Sequence, residues 1–227
     1  MAAESAPSLI WINPADTALI IIDMQRDFLD PGGYAASAGL DVNALRRPIP
    51  AIQALLTAAR RFSMLVVHTR EGHRADLSDC PPTKLARSRA AGAEIGSPGP
   101  LGRLLVRGDY GHDIIDELKP VPGEPVVDKP GYGAFHQTGL SHILETRGIS
   151  QLIITGVTTE VCVHSTLREA VDRGYRCVLA GDACASAYPH LHQAALEMVA
   201  VEGGIFGRVL NSIELLAELP SNQETIP

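Results

Sequence analysis

Residues 17–23 read "TALIIID", five apolar residues in a row between a threonine and an aspartate. A run this short and this apolar is the mark of a strand buried on both faces, as in parallel sheets. The pattern returns in "MLVVHT" (64–69), "EPVVDK" (124–129), "QLIITG" (151–156) and "YRCVLAGD" (175–182). Helical spacing fills the gaps: "IPAIQALLTAARRF" (49–62), "HDIIDEL" (112–118), "TGLSHILETRG" (138–148), "TEVCVHSTLREAVDRG" (159–174), "PHLHQAALEMVAVEGG" (189–204) and "SIELLAEL" (212–219). Strands alternating with helices mean right-handed crossovers and a parallel sheet covered on both sides. The expected class is α/β, doubly wound, in a single domain over 1–227. Residues 70–111 read as an irregular insertion, because "DCPPTK" and "GSPGPLG" suit neither a long helix nor a central strand. Residues 220–227 read as a flexible tail.

The bulk numbers narrow the function classes. Of 227 residues, 45% are hydrophobic and 20% charged, and net charge is −7. That acidic balance argues against a nucleic-acid footprint. No apolar run approaches the roughly 18 residues of a membrane helix, and no secretory leader pattern opens the chain. Four cysteines, Cys80, Cys162, Cys177 and Cys184, are too few for a disulfide scaffold. A reducing, cytoplasmic setting is expected. Neither G-x-G-x-x-G nor G-x-x-x-x-G-K occurs, so nucleotide binding is unsupported. "RGD" at 107–109 reads as chance.

In doubly wound sheets, ligands bind at the carboxyl ends of the strands. Three residues fall there. Asp23 closes the first strand, Lys129 the third, and Cys162 follows the fourth within "GVTTEVC". Each alone has a plain structural reading: a cap, a solvated charge, a small buried hydrophobe. Together they form a nucleophile with its acid–base partner and counter-ion. A helix N-terminus and a nearby ammonium both lower a thiol pKa, so an activated thiolate is expected. Such a thiolate attacks a carbonyl, Asp23 shuttles the proton, and helix-start N–H groups hold the oxyanion. This chemistry asks for no metal and no cofactor. Cys177 reads as core; Cys80 and Cys184 read as loop residues without a role.

"ALIIIDMQRDF", "DKPGYGAF" and "GVTTEVCVHSTLREAVDRGY", with the later "DACAS" and "GGIFG", resemble the isochorismatase-like cysteine hydrolases from about Thr17 to Leu216. The resemblance implies a six-stranded parallel sheet with helices on both faces. It further implies an Asp23–Lys129–Cys162 triad and a cis peptide at Val157–Thr158, with the Thr158 and Cys162 N–H groups facing the oxyanion. Isochorismatases proper lack the nucleophilic cysteine. Nicotinamidases carry an Asp-x-His metal pair that "HTREGHRADLSDCPP" does not contain, and His73 there reads as a loop histidine.

The insertion, "DKPGYGAF" and "EGGIFG" look like members that hydrolyse ureides, with triuret or biuret the expected small-molecule substrate. Phe28 and Phe135 are candidate pocket walls, or simple core; Glu202 is a candidate acceptor for substrate N–H, or an exposed helix end. Arg70, Arg74, Lys84, Arg87 and Arg89 crowd the insertion. They would suit an anionic substrate, which keeps ureidoacrylate or N-carbamoyl amino acids as an alternative. A non-catalytic binder of the same fold is a further alternative. The resemblance also implies a homo-oligomer, tetramer or dimer.

Overall fold

The first apolar run forms β1 (Thr17–Ile22), and all six of its residues are buried. In the computed structural model, which describes residues 12–220, it is joined by β2 (Leu65–Glu71), β3 (Val126–Lys129), β4 (Gln151–Val157), β5 (Arg176–Ala185) and β6 (Arg208–Leu210). The sheet order is β3-β2-β1-β4-β5-β6, and every neighbouring pair is parallel. The chain winds outward from β1 to β3, then restarts beside β1 with β4 and winds out to β6. The order reverses between β1 and β4, and a crevice opens at their carboxyl ends.

Side chains of β1 alternate between two cores. Leu19 and Ile21 pack with Ile52 and Leu55 of α1 (Ile49–Arg61). Ala18, Ile20 and Ile22 face Leu144, Leu167 and Val199 on the other side. Those three belong to α3 (Leu140–Thr146), α4 (His164–Asp172) and α5 (Pro189–Gly204). Each fully buried isoleucine contributes about 1.5–3 kcal/mol, so the continuous run anchors both layers at once. The β1–β4 contact depends on one residue. Gly156 sits opposite Ile22 at φ +113°, and a Cβ there would overlap the Ile22 carbonyl.

Several elements differ from the sequence expectation. The sixth strand, "RVL", is three residues long, too short to leave a periodic signal. The insertion contains α2 (Pro82–Ala90), with Pro82 in its first turn, where a missing N–H costs nothing. "HDIIDEL" is not one helix. It is two 3₁₀ turns, Tyr110–His112 and Asp116–Leu118, because Ile114 between them bridges to Gln25 in extended form. Cys184 is a buried residue of β5 rather than a loop residue, since that strand runs on to Ala185. α5 breaks at Val201–Gly203, where Glu202 and Gly203 take positive φ. All but the first residue of the expected tail, 220–227, lies outside the described residues. Among the described residues no helix is long and apolar enough to cross a membrane, and all four cysteines are free.

Candidate active site

β1 ends at Ile22, and the next residue, Asp23, takes the left-handed region at φ +51°. That turn is uncommon for a non-glycine residue. The end of β2 holds it in place: the Asp23 N–H donates to the Thr69 carbonyl, and the Thr69 hydroxyl donates to Asp23 Oδ1 at 2.6 Å. Lys129, the last residue of β3, reaches across with Nζ 2.8 Å from Asp23 Oδ2. Both side chains are fully buried. The Val157–Thr158 peptide after β4 is cis. A π-helical turn, Thr159–Val163, then carries Cys162 before α4 begins.

A fourth residue, which the sequence pattern does not flag, completes the cluster. Glu71 ends β2 directly opposite Lys129 in the parallel register. Its Oε2 accepts from the Cys162 thiol at 3.3 Å and lies 3.4 Å from Lys129 Nζ. Its Oε1 lies 2.6 Å from Nζ of Lys84, a buried residue of α2. The two lysines grip nearby carbonyls, Lys84 that of Pro130 at 2.6 Å and Lys129 that of Gly131 at 3.0 Å. Gln25 fixes the backbone of Glu71 on both sides: Oε1 accepts its N–H at 2.7 Å, and Nε2 donates to its carbonyl at 3.0 Å. The one available signal is "DMQRDF", polar residues just after a buried strand, of which Asp23, Gln25 and Asp27 are all buried.

The electrostatics separate the two carboxylates. Burial pushes the Asp23 pKa up, the nearby Glu71 charge adds to this, and Lys129 and Thr69 oppose it. Burial pushes Glu71 up as well, but Lys129 and Lys84 together overcome it and hold that carboxyl at about 2. Lys129 loses from burial but gains more from Asp23, Cys162 and Glu71, so it stays protonated. The thiol departs from expectation. Burial, with Asp23 and Glu71 adding to it, outweighs Lys129 and raises Cys162 well above an ordinary thiol. Enclosure beside two carboxylates costs the thiolate more than Lys129 returns.

Other expected site residues disperse. Phe28 is buried in one core with its ring against Tyr34. Phe135 is buried in the other, stacked on Tyr175 and covered by Arg173. Glu202 is exposed and is not brought to the site. The glycines after it line a cavity with Gln151 and Arg176, at the amino ends of β4 and β5, the wrong edge of the sheet. The basic cluster splits. Arg70 is bidentate on Asp128 at 2.8 and 3.2 Å, and Arg89 pairs with Glu94. Lys84 is buried on Glu71, while Arg74 and Arg87 line a cleft of about 610 Å³ with Lys84, Tyr132 and His136. His73 is fully buried beside Asp79, a packed residue rather than a loose loop histidine. Arg107 and Asp109 of "RGD" are spent on internal bonds to Gly72 and Arg103.

Asp23, Glu71 and Cys162 each place a ligand atom within 4.8 Å of the others. Two ammonium groups already balance the two carboxylates, so the trio offers a cation little further charge. A doubly wound sheet with a buried thiol, carboxylates and ammoniums at its switch point defines a cysteine hydrolase. The comparisons agree. The isochorismatase domain model matches residues 17–214. A cysteine hydrolase from Pseudomonas syringae pv. phaseolicola 1448A is 30% identical, with TM-score 0.78 over 95% of this chain and 98% of that one. An isochorismatase family protein from Desulfovibrio vulgaris subsp. vulgaris str. Hildenborough is also 30% identical, with TM-score 0.73 over 88% and 96%. An N-carbamoylsarcosine amidase from Thermoplasma acidophilum, 24% identical with TM-score 0.66 over 87% and 96%, shares the fold. The chain belongs to the isochorismatase family, and it is a hydrolase.

Proposed function

We propose that this enzyme is a cysteine amidohydrolase of ureides, with triuret or biuret as substrate and Asp23, Lys129 and Cys162 as its catalytic triad. The observation that carries the reading is the buried thiol beside the Asp23–Lys129 ion pair at the switch point. In the reaction the S–H bond breaks, its proton passes to Asp23, and sulfur bonds to the substrate carbonyl carbon. The Thr158 and Cys162 N–H groups are assigned to the oxyanion. Collapse breaks the C–N bond, and Asp23 returns the proton to the leaving nitrogen as ammonia departs. Water, activated by the same carboxylate, then releases the carbamoyl-type acid from the Cys162 thioester. Support for a ureide comes from the acceptors around the thiol, which suit a planar molecule rich in N–H donors. Support for triuret or biuret comes from the sequence likeness through the insertion.

One observation favours a second reading. Arg74, Lys84, Arg87 and His136 ring the cleft, and its one acid, Asp79, is already paired with Arg107 at 3.1 Å. Such a rim suits a carboxylate-bearing ureide such as ureidoacrylate or an N-carbamoyl amino acid. Ammonia release from triuret, biuret and ureidoacrylate separately, with Cys162→Ser as control, decides. Release from triuret or biuret that Cys162→Ser abolishes supports the first reading. Release from ureidoacrylate alone moves the assignment to the second. No release from any, together with no iodoacetamide labelling of Cys162, sinks both and leaves a non-catalytic binder. The free thiols fit a cytoplasmic enzyme. We also assign a dimer or tetramer, consistent with Met198, Val201 and Ile205 lying exposed at the end of α5; a monomeric mass in solution would overturn that assignment.

A further inference from the structure

Two carboxylates face one thiol, and they are not equivalent. Asp23 has a single ammonium partner, Lys129, and one hydroxyl, that of Thr69. Glu71 has two ammonium partners, Lys129 and Lys84, and its Oε2 is the atom that accepts the thiol hydrogen bond. Both carboxylates stand beside the sulfur, and Glu71, which accepts the thiol at 3.3 Å, is the weaker base of the two. A weak base accepts the S–H hydrogen bond without taking the proton, and the stronger base nearby takes it.

We propose that Glu71 is a further catalytic residue, orienting the Cys162 thiol for proton transfer to Asp23, and that Lys84, 2.6 Å from Glu71 Oε1, is the positioning residue that holds Glu71 in place. The inference rests on reading Cys162 as the nucleophile. The charge balance favours it. Before transfer, Asp23 and Glu71 are negative, Lys129 and Lys84 positive, and the thiol neutral. After transfer, Asp23 is neutral, and the thiolate and Glu71 face the same two lysines. Neither state leaves a buried charge unpaired, which a site of this burial requires. Lys84 also holds the Pro130 carbonyl, and its ammonium lies 4.9 Å from the Tyr132 ring centroid. One side chain from the insertion thereby ties the nucleophile to the mouth of the cleft. The other ionisable side chain coupled to the thiol is Tyr34, which burial first and then the Glu71 charge push up to about 12.

The test uses the full-length protein and five variants: Glu71→Gln, Lys84→Met, Lys84→Arg, the Glu71→Gln/Lys84→Met double variant and Cys162→Ser. Alkylation of Cys162 by iodoacetamide is followed across pH by peptide mass, beside kcat, KM and thermal midpoint. Removing the Glu71 charge should move the alkylation midpoint down by about one pH unit. Removing the Lys84 charge should move it up by about as much, and the double variant should fall between. For Glu71→Gln we expect kcat to fall on the order of 10²-fold with KM little changed. Shifts of opposite sign are what a merely structural role does not produce. Midpoints that stay put, or that move the same way in both variants, overturn the proposal. Should Glu71→Gln fail to fold, Lys84→Met and the rescuing Lys84→Arg decide in its place. Activity that survives in Cys162→Ser defeats the nucleophile reading itself. An inactive Cys162→Ser with unshifted profiles defeats only the role given to Glu71 and Lys84.

Discussion

Asp23 and the turn bearing Cys162 follow strand ends and Lys129 closes one, whereas Lys84 hangs from a nine-residue helix in a segment with little other regular structure. The strand-end groups are placed by register: Ile22 opposite Gly156, and Glu71 opposite Lys129. Their backbone is held by ladders repeated along each strand, backed by two apolar cores. The insertion sends Ile95 and Leu105 into one of these cores, but its backbone is held by one isolated bridge, His73 to Val106, and by separate polar contacts. His73 donates its N–H to the Leu105 carbonyl at 2.8 Å, and Arg107 donates its own to the His73 carbonyl at 2.9 Å. Asp27 Oδ2 accepts from the Leu105 N–H at 2.9 Å, and Arg103 Nε donates to the Gly96 carbonyl at 2.8 Å. A ladder degrades gradually when one contact is lost. A set of single buried bonds loses a full desolvation penalty with each.

The contrast can be tested at four strengths. The largest effect belongs to the framework. Asp23→Asn should lower kcat on the order of 10³-fold, about 4 kcal/mol of activation, as measured by steady-state ammonia release. A variant that keeps a tenth of the activity would remove Asp23 from the chemistry. Next comes the insertion. Asp27→Ala leaves the Leu105 and Tyr34 N–H groups without their carboxylate, and it should cost about 2–4 kcal/mol by denaturant titration. A cost below about 0.5 kcal/mol would show that the insertion does not hang on single bonds.

Third, the insertion should loosen in acid before the sheet does. Burial, then Arg70, holds His112 down at about 4. In the unfolded chain the same ring titrates near 6.5. His112 therefore lends stability that is complete above pH 6.5 and is lost as pH falls from there towards 4, at most about 3 kcal/mol. Hydrogen exchange corrected for intrinsic rate should show the Leu105 and Arg107 amides gaining on those of Leu19 and Ile153 between pH 7 and pH 5. Equal acceleration in both regions would erase the distinction. The smallest effect is on the surface. Arg89 and Glu94 form a surface pair, and Arg89→Ala should leave the thermal midpoint unchanged in a melting scan.

The same contrast explains what is legible in the sequence. Unbroken apolar runs announce buried strands, and topology then sends the residues after them to one crevice. Asp23, Lys129 and Cys162 can be named on that ground. Glu71 sits at an equally good strand end, but "HTREG" mixes charge and histidine where the other runs are apolar, so its end reads as the start of a loop. Lys84 is visible only as one of five basic residues. What separates it from Arg87 is which side of α2 meets the core, and nine residues beginning beside two prolines carry too weak a period to show that. The thiol's protonation escapes the sequence for a related reason. A helix start and a lysine can be read from letters, whereas the cost of enclosing sulfur with two carboxylates depends on three-dimensional crowding. Phe28 and Phe135 lie near the triad along the chain, but their rings turn into the two cores.

Gly156 bears on how this chain can drift. The two central strands approach so closely there that a methyl group has nowhere to go, and the backbone sits where other residues are strained as well. One strand leads into the acid, and the other leads through the Val157–Thr158 bond to the thiol. The separation of those two groups is thus fixed by the absence of a side chain. Every single-letter change at this position alters the gauge of the whole site at once.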